Sequence, residues 1–429
     1  MVIESLKYKI LQQFGFAPTQ EQGQALDTFV SFLTDRDPQA VMILRGSAGT
    51  GKTSLSGAIV RTLLQIRQKV MLLAPTGRAA KVFSLGSGAP AYTIHRRIYR
   101  EKAFAGVDGQ FGLNDNLYTD TLFMVDEASM IANMGLGGTT FGSGCLLDDL
   151  VKFVYQGHND RLLLIGDKAQ LPPVGEEESP ALSASVMEGY GLKVYECDLN
   201  EVLRQSQSSG ILYNATLIRQ MITHDAVTGL PLIRFKGFAD IVMMPGAELV
   251  ESLGDSYHRV GQDETMVITR SNKRANIYNN GIRNMVLDRE EELSSGDMLM
   301  IVKNNYFWTE KEKKESGEGS AGAVPAFLAN GDRAKVLRVS NYIELYGFRF
   351  ATLLLQLPDY DDYEMQVTGM LDTLQSEAPA LTHEQQEELF RQVEEDYQHF
   401  VPLKADRMKS IRQDAYFNAL QIKCAYAVT

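Results

Sequence analysis

The sequence predicts an α/β protein built on a parallel, doubly wound sheet, and three observations carry that expectation. Short, nearly continuous apolar runs recur at 40–44 (AVMIL), 69–75 (KVMLLAP), 121–127 (TLFMVDE) and 161–167 (RLLLIGD). Each ends in glycine, proline or an acid, as strands covered on both faces tend to do. Helical spacing of apolar residues fills 53–66 and 77–85, and strands alternating with helices imply a parallel sheet. Finally, a glycine-rich turn, GSAGTGKT at 46–53, joins the first run to the first of those helices.

The remaining elements follow along the chain. Residues 1–14 and, more strongly, 20–34 (QEQGQALDTFVSFLT) have helical spacing. The stretch 96–118 reads as a β-hairpin turning at AGVDGQFG. Glycine-rich 132–144 has no Gly-Lys-Ser/Thr after it and reads as a mobile connection, not a second phosphate loop. A second set of elements begins at ETMVITRS (264–271), followed by a helix over 272–287. Residues 312–323 (EKKESGEGSAGA) have the composition of a flexible loop. Short strands are expected at 342–357 and 362–368, and a helix at 383–398. No internal repeat is evident.

Composition narrows the class. A chain of 429 residues has room for two to four domains at roughly 150 residues each. No apolar run approaches the roughly 18 residues of a membrane helix, and the N-terminus lacks the order of a signal peptide. Three cysteines, Cys145, Cys197 and Cys424, lie far apart without a CxxC, so neither a disulfide framework nor a zinc site is indicated. A soluble, cytoplasmic protein is expected. The net charge of −12 argues against nucleic acid only until its distribution is read. Residues 355–400 hold twelve acids and one base, Arg391, which is −11 and leaves about −1 for everything else. Basic clusters such as RRIYREK at 96–102 thus stay free to face phosphates, and the acidic stretch reads as a solvated, partly helical face.

Chemistry is concentrated in four segments. GSAGTGKT fits G-x-x-x-x-G-K-[ST] between a strand and a helix, the context that motif requires. Backbone N–H groups of Gly46, Ser47, Ala48, Gly49, Thr50 and Gly51, with Ser54 following, would wrap phosphate oxygens at the helix N-terminus. Lys52 would reach the β- and γ-phosphates of ATP, and the Thr53 hydroxyl would coordinate Mg²⁺. Acids ending a strand are often simple caps. With a phosphate loop upstream, Asp126 reads instead as the second magnesium partner and Glu127 as the base that deprotonates water. Gln170, in LLLIGDKAQLPPV (162–174), falls at the sheet's C-terminal edge and would sense the γ-phosphate. The fourth segment is APTGRAA at 74–80.

Together these motifs resemble the superfamily 1B (5′→3′) DNA helicases of the RecD/Dda-like group, with Pif-type relatives. PTQEQ (18–22) resembles an adenine-reading Q motif, which would make Gln22 the base reader. EVLRQ (201–205) resembles the motif whose arginine, here Arg204, contacts the γ-phosphate. APTGRAA and TIH (93–95) resemble motifs lining a single-strand path, implying DNA contacts from Pro75, Thr76, Thr93 and His95, with Thr269 and Arg270 in a second domain. A lone histidine beside Ile94 is otherwise more often structural. Phe104 or Phe111 in the hairpin would be a strand-separating wedge, or would pack the hairpin's own core. Tyr306 and Trp308 could stack bases, but core packing is the stronger expectation.

The resemblance implies two RecA-like P-loop domains with parallel sheets. The first would span 1–200 with a hairpin insertion at about 86–118. The second would span 201–340 and resume at 413–429, with an SH3-like insertion and its acidic helical segment at 341–412. FLANGDRAKV (327–336) resembles the entry to that insertion. CAYAVT (424–429) matches the strand before a further family motif, so a longer native chain is expected. The implied activity is an ATP- and Mg²⁺-dependent helicase, acting as a monomer on single-stranded DNA and duplex junctions. A nucleotide-dependent DNA-binding or remodelling ATPase without processive unwinding remains the alternative, and the motif residues do not by themselves separate DNA from RNA.

Overall fold

The computed structural model describes residues 2–103, 110–134, 142–201, 209–223, 229–316, 324–325 and 327–429. Two units emerge, Met1–Ala103 with Gly109–Met243, and Met244–Thr429.

In the first unit, helices α1 (Val2–Phe14) and α2 (Gln20–Thr34) precede β1 (Ala40–Gly46), α3 (Lys52–Gln65), β2 (Lys69–Ala74) and α4 (Gly77–Ser87). Then come β3 (Ala91–Thr93), α5 (Ile94–Ile98), the antiparallel hairpin β4 (Tyr99–Ala103) and β5 (Gln110–Leu113), and β6 (Thr121–Val125). The unit ends with α6 (Leu146–Gln156), β7 (Arg161–Gly166), α7 (Ala184–Gly189), β8 (Lys193–Leu199) and α8 (Gly210–Thr223). Among the described residues, six strands form one parallel sheet in the order β3-β2-β6-β7-β1-β8.

Every residue of β1, β6 and β7 is buried, which explains their unbroken apolar runs. Alternate residues serve opposite faces. Met42, Leu44, Leu122, Met124, Leu163 and Ile165 pack with α1, α2 and α3. Val41, Ile43, Phe123, Val125, Leu162 and Leu164 pack with α5 and α6. Because all six strands run parallel, their C-terminal ends share one edge, the edge at which ligands of such sheets bind.

The second unit contains α9 (Leu249–Arg259), β9 (Val267–Ile268), α10 (Asn272–Gly281), β10 (Met298–Ile301) and α11 (Phe307–Ser316). It continues with β11 (Arg333–Leu345), β12 (Phe348–Leu357), β13 (Tyr363–Met370), α12 (His383–Gln398), α13 (Lys404–Arg412), β14 (Leu420–Cys424) and β15 (Ala427–Val428). Strands β10, β11, β12, β13 and β14 close a barrel. Leu299, Val336, Leu353, Leu355, Val367 and Ile422 are among the residues filling its core.

Several expectations shift. Residues 201–243 belong with the first unit, because Arg219 on α8 pairs with Asp167 just after β7. The expected insertion at 341–412 is too narrow, since the barrel also draws on β10, the start of β11, and β14. A second parallel sheet, expected within 201–340 and 413–429, is represented among the described residues by the two-residue pairing of β9 with β15. The hairpin is confined to β4 and β5, while β3 within 86–98 belongs to the main sheet.

Residues 312–316 lie in α11 and not in a loop, for EKEKK is made of good helix formers with Glu310 and Lys314 one turn apart. Residues 317–323, like 135–141 of the glycine-rich stretch, lie outside the described residues. Of the acidic stretch at 355–400, residues 383–398 form helix α12, opened by a capping box of Thr382 and Gln385 and seated on Leu389 and Val393, while its first six acids fall before that helix, around strand β13. Among the described residues, no helix is long and apolar enough to cross a membrane.

Candidate nucleotide-binding site

The loop between β1 and α3 turns on glycine. Gly49 and Gly51 have φ of +83° and +86°, and a Cβ at Gly51 would stand 2.6 Å from Gln22 Nε2. Gln22 is 1% exposed and braces the loop from behind. Its Nε2 donates to the Thr50 carbonyl at 2.9 Å, while its Oε1 accepts from the Thr19 N–H at 3.0 Å. Thr50 in turn donates its hydroxyl to the Ser47 carbonyl at 2.8 Å. The expected base reader thus has its amide engaged with backbone at both ends.

Lys52 opens α3 and folds back, donating Nζ to the carbonyls of Gly46 and, at 2.9 Å, Ser47. Burial pushes its pKa down, against the attraction of Asp167, Glu127 and Asp126. Ser47, Ala48, Gly49, Gly51, Lys52, Thr53 and Ser54 line a cleft of about 260 Å³ together with Asp126, Glu127 and Gln170. Three sequence segments far apart in the chain therefore meet at one end of the sheet.

Asp126 follows β6 directly, and its N–H donates to the Leu73 carbonyl at 3.0 Å. Burial raises its pKa to about 6, although its carboxylate accepts from the Glu127 N–H at 2.9 Å. Glu127 occupies the left-handed region at φ 53°, ψ 37°. A side-chain-bearing residue held there costs on the order of 1–2 kcal/mol, a strain that collects at functional sites. Gln170 Oε1 accepts from the fully buried Ser129 hydroxyl at 2.9 Å, tying the turn after β7 to the turn after β6.

The cleft suits a magnesium-bound phosphate. It offers the Thr53 hydroxyl and the Asp126 carboxylate, both oxygen donors, and no cluster of three His, Cys, Asp or Glu occurs among the described residues. Two oxygen ligands match Mg²⁺, which draws the rest of its shell from phosphate and water.

The expected strand-path residues of the first unit lie at the same sheet edge. Pro75 and Thr76 follow β2, and the Thr76 hydroxyl caps α4 by accepting from the Ala79 N–H at 3.2 Å. Thr93 ends β3 and caps α5 through Arg96 N–H at 3.3 Å. Burial lowers the His95 pKa, and its ring lies 5.7 Å from that of Tyr99. In the second unit, the Thr269 hydroxyl donates to the carbonyls of Val428 and Ser271, while Arg270 is exposed. Trp308 is packed, its Nε1 donating to the Asn418 carbonyl at 2.9 Å, and Tyr306 stacks on Phe327 with ring centroids 5.0 Å apart. Arg204 and Phe104 lie outside the described residues, and of Phe111 the backbone alone is described, opposite Glu101.

Residues 17–229 match the model of a family described as AAA domain. The ATP-dependent RecD2 DNA helicase of Deinococcus radiodurans is 30% identical over 157 residues, covering 36% of this chain and 18% of that protein. The ATP-dependent DNA helicase dda of Enterobacteria phage T4 is 25% identical over 267 residues, covering 60% of this chain and 55% of its own length. Over residues 17–229 the chain is thus similar to a family described as AAA domain, and in sequence it is similar to RecD2- and dda-type DNA helicases. It spans from 13% to 55% of the curated relatives it matches. The Pif1 helicase of Candida albicans aligns over 82% of this RecD/Dda-like chain and 78% of its own, at 17% identity and a TM-score of 0.37.

Sequence reasoning alone missed three residues that shape this cleft. Asp167 sat inside the quoted LLLIGDKAQLPPV and Ser129 lay two residues beyond TLFMVDE, where their side chains now prove to fix the turns. Arg219 had no local signal, because its place depends on how α8 returns to the sheet. Gln22 gave a signal, but its capping-box spacing to Thr19 pointed to a helix start as much as to a base.

Proposed function

We propose that this chain is the ATP-driven motor of a DNA helicase that moves 5′→3′ along single-stranded DNA and unwinds duplex. The observation that carries the reading is the convergence of the phosphate loop, Asp126, Glu127 and Gln170 on one cleft. In this reading Lys52 leaves the Gly46 and Ser47 carbonyls for the β- and γ-phosphates, a charge-assisted exchange. Thr53 and Asp126 would hold Mg²⁺, which when bound would offset the negative charge of the phosphates. Glu127, whose backbone is held left-handed, orients and deprotonates the attacking water. Gln170, aligned by Ser129, reports the presence of the γ-phosphate to the turn after β7. Arg204 would add a cation to that phosphate.

The path of the strand is proposed along the sheet's C-terminal edge in the first unit, past Pro75, Thr76, Thr93 and His95, and past Thr269 and Arg270 in the second. Such contacts grip phosphates and stack bases without reading sequence. In their caps the Thr76 and Thr93 hydroxyls accept, a role that does not use their protons, whereas the Thr269 hydroxyl donates to backbone carbonyls. A strand-displacement assay with 5′-tailed and 3′-tailed duplexes and Mg-ATP tests the reading. Unwinding of the 5′-tailed substrate is expected. ATP hydrolysis stimulated by single strands without displacement of either substrate would favour a remodelling ATPase instead.

A further inference from the structure

Helix α8 carries Arg219 onto a carboxylate that the mechanism above does not use. Its Nη1 and Nη2 donate to the two oxygens of Asp167 at 3.0 Å each, and the Asp167 side chain is 6% exposed. Asp167 also accepts from the Ala169 N–H at 2.9 Å, and its carbonyl accepts from the Gln170 N–H at 3.2 Å. The pair therefore fixes the turn that delivers Gln170 to the cleft. Both charges reach Lys52 as well. Asp167 attracts its ammonium more than Glu127 or Asp126 does, and Arg219 opposes that attraction.

We propose that Arg219 is a positioning residue for the phosphate-binding lysine, occupying both oxygens of Asp167 so that this carboxylate does not capture Lys52. The physical reason lies in what a buried carboxylate must do without its counterion: it takes a proton or recruits another cation. Lys52 is a cation that Asp167 already attracts, on a flexible four-carbon stem that can reorient toward it. Phosphate would then compete with Asp167 for the same ammonium. An arginine suits the task because its planar fork satisfies both carboxylate oxygens at once. The inference rests on the reading of Lys52 as a phosphate ligand.

The test is a mutant cycle on the full chain, with affinity for a fluorescent ATP analogue plus Mg²⁺ as the readout and far-UV circular dichroism as the check of folding. Arg219→Ala is expected to weaken binding about tenfold, within the range seen for coupled neighbours. Adding Asp167→Asn to that variant removes the competing charge and should restore affinity to within about threefold of the parent. In a Lys52→Ala background, Arg219→Ala should cost nothing further. A residue that merely staples α8 would behave differently: its loss would persist undiminished in both backgrounds, and either persistence overturns the proposal. Unchanged affinity in Arg219→Ala, with Lys52→Ala weakened, overturns it too while leaving the nucleotide reading intact. Unchanged affinity in Lys52→Ala removes the nucleotide reading and the inference with it. Should Arg219→Ala not fold, the Asp167→Asn/Arg219→Ala protein decides alone: binding within about threefold of the parent supports the proposal, and a tenfold loss refutes it.

Discussion

The two units handle buried charge in opposite ways. In the second, Asp297 is fully buried and saturated: Arg283, Arg289, the Tyr426 hydroxyl and the Ser294 N–H all donate to it, at 2.7–3.2 Å. Burial works against its charge, yet the Arg283 and Arg289 bonds hold its pKa below the usual carboxylate value. In the first unit, Asp126 accepts from the neighbouring Glu127 N–H and has its pKa raised, while Lys52 has its pKa lowered. One arrangement is a closed structural network, the other an electrostatically unsettled cleft beside a strained backbone. Buried charge alone does not mark a site. What marks it is burial combined with incomplete compensation and an opening.

This contrast breaks in defined ways. Asp297→Ala should have the largest effect, destabilising the second unit by about 3–5 kcal/mol, because two guanidiniums lose their shared partner. Urea unfolding measures it, and a loss below about 1 kcal/mol would mean the network is dispensable. Next, Glu127→Gln should lower DNA-stimulated ATP turnover by about 10²-fold or more while nucleotide affinity is retained, the signature of a lost base. Intact turnover would reduce Glu127 to a strained turn residue.

Asp126→Asn should act in the reverse sense to Asp297→Ala. The Asp126 pKa is raised to about 6, so between the ordinary aspartate value of 3.8 and that pH the nucleotide-free folded state binds more protons than the unfolded one. Stability therefore falls as pH rises through this window, and above it ionised Asp126 costs the fold roughly 1–3 kcal/mol. Replacing it with Asn should raise the unfolding free energy at pH 8 and leave it nearly unchanged at pH 4. A destabilised variant at pH 8 would contradict the assignment. The smallest effect belongs to Gln22→Ala, which loses two backbone hydrogen bonds worth about 0.5–1.5 kcal/mol each. If Gln22 braces the loop, affinity for Mg-ATP and Mg-GTP should weaken equally. Selective loss of ATP would return it to base reading.

How legible each unit was in the sequence follows from the same physics. Strands buried on both faces write unbroken apolar runs, so β1, β2, β6 and β7 could be read directly, and the helices read at 20–34, 77–85 and 383–398 match α2, α4 and α12, the second ending two residues later. The longer barrel strands β11, β12 and β13 are part-solvated, and β11 is interrupted. β11 shows register shifts between Val336 and Arg338 and between Ser340 and Ile343, which blurs its alternation, and its first nine residues went unread. Short β10 and β14 carry too few residues for a pattern and gain their place from barrel closure. At the site, motif residues were legible because phosphate chemistry constrains their spacing. Arg219 was not, because a long-range ion pair leaves no local pattern.

The most direct measurement of the central claim is titration of the full chain with a fluorescent ATP analogue and Mg²⁺, comparing the parent with Lys52→Ala. Removing the ammonium should weaken binding by about 1.5–3 kcal/mol while far-UV circular dichroism stays unchanged, because the loop lies outside the core. Equal affinity in two equally folded proteins would contradict the account, for then the cleft is not where phosphate binds.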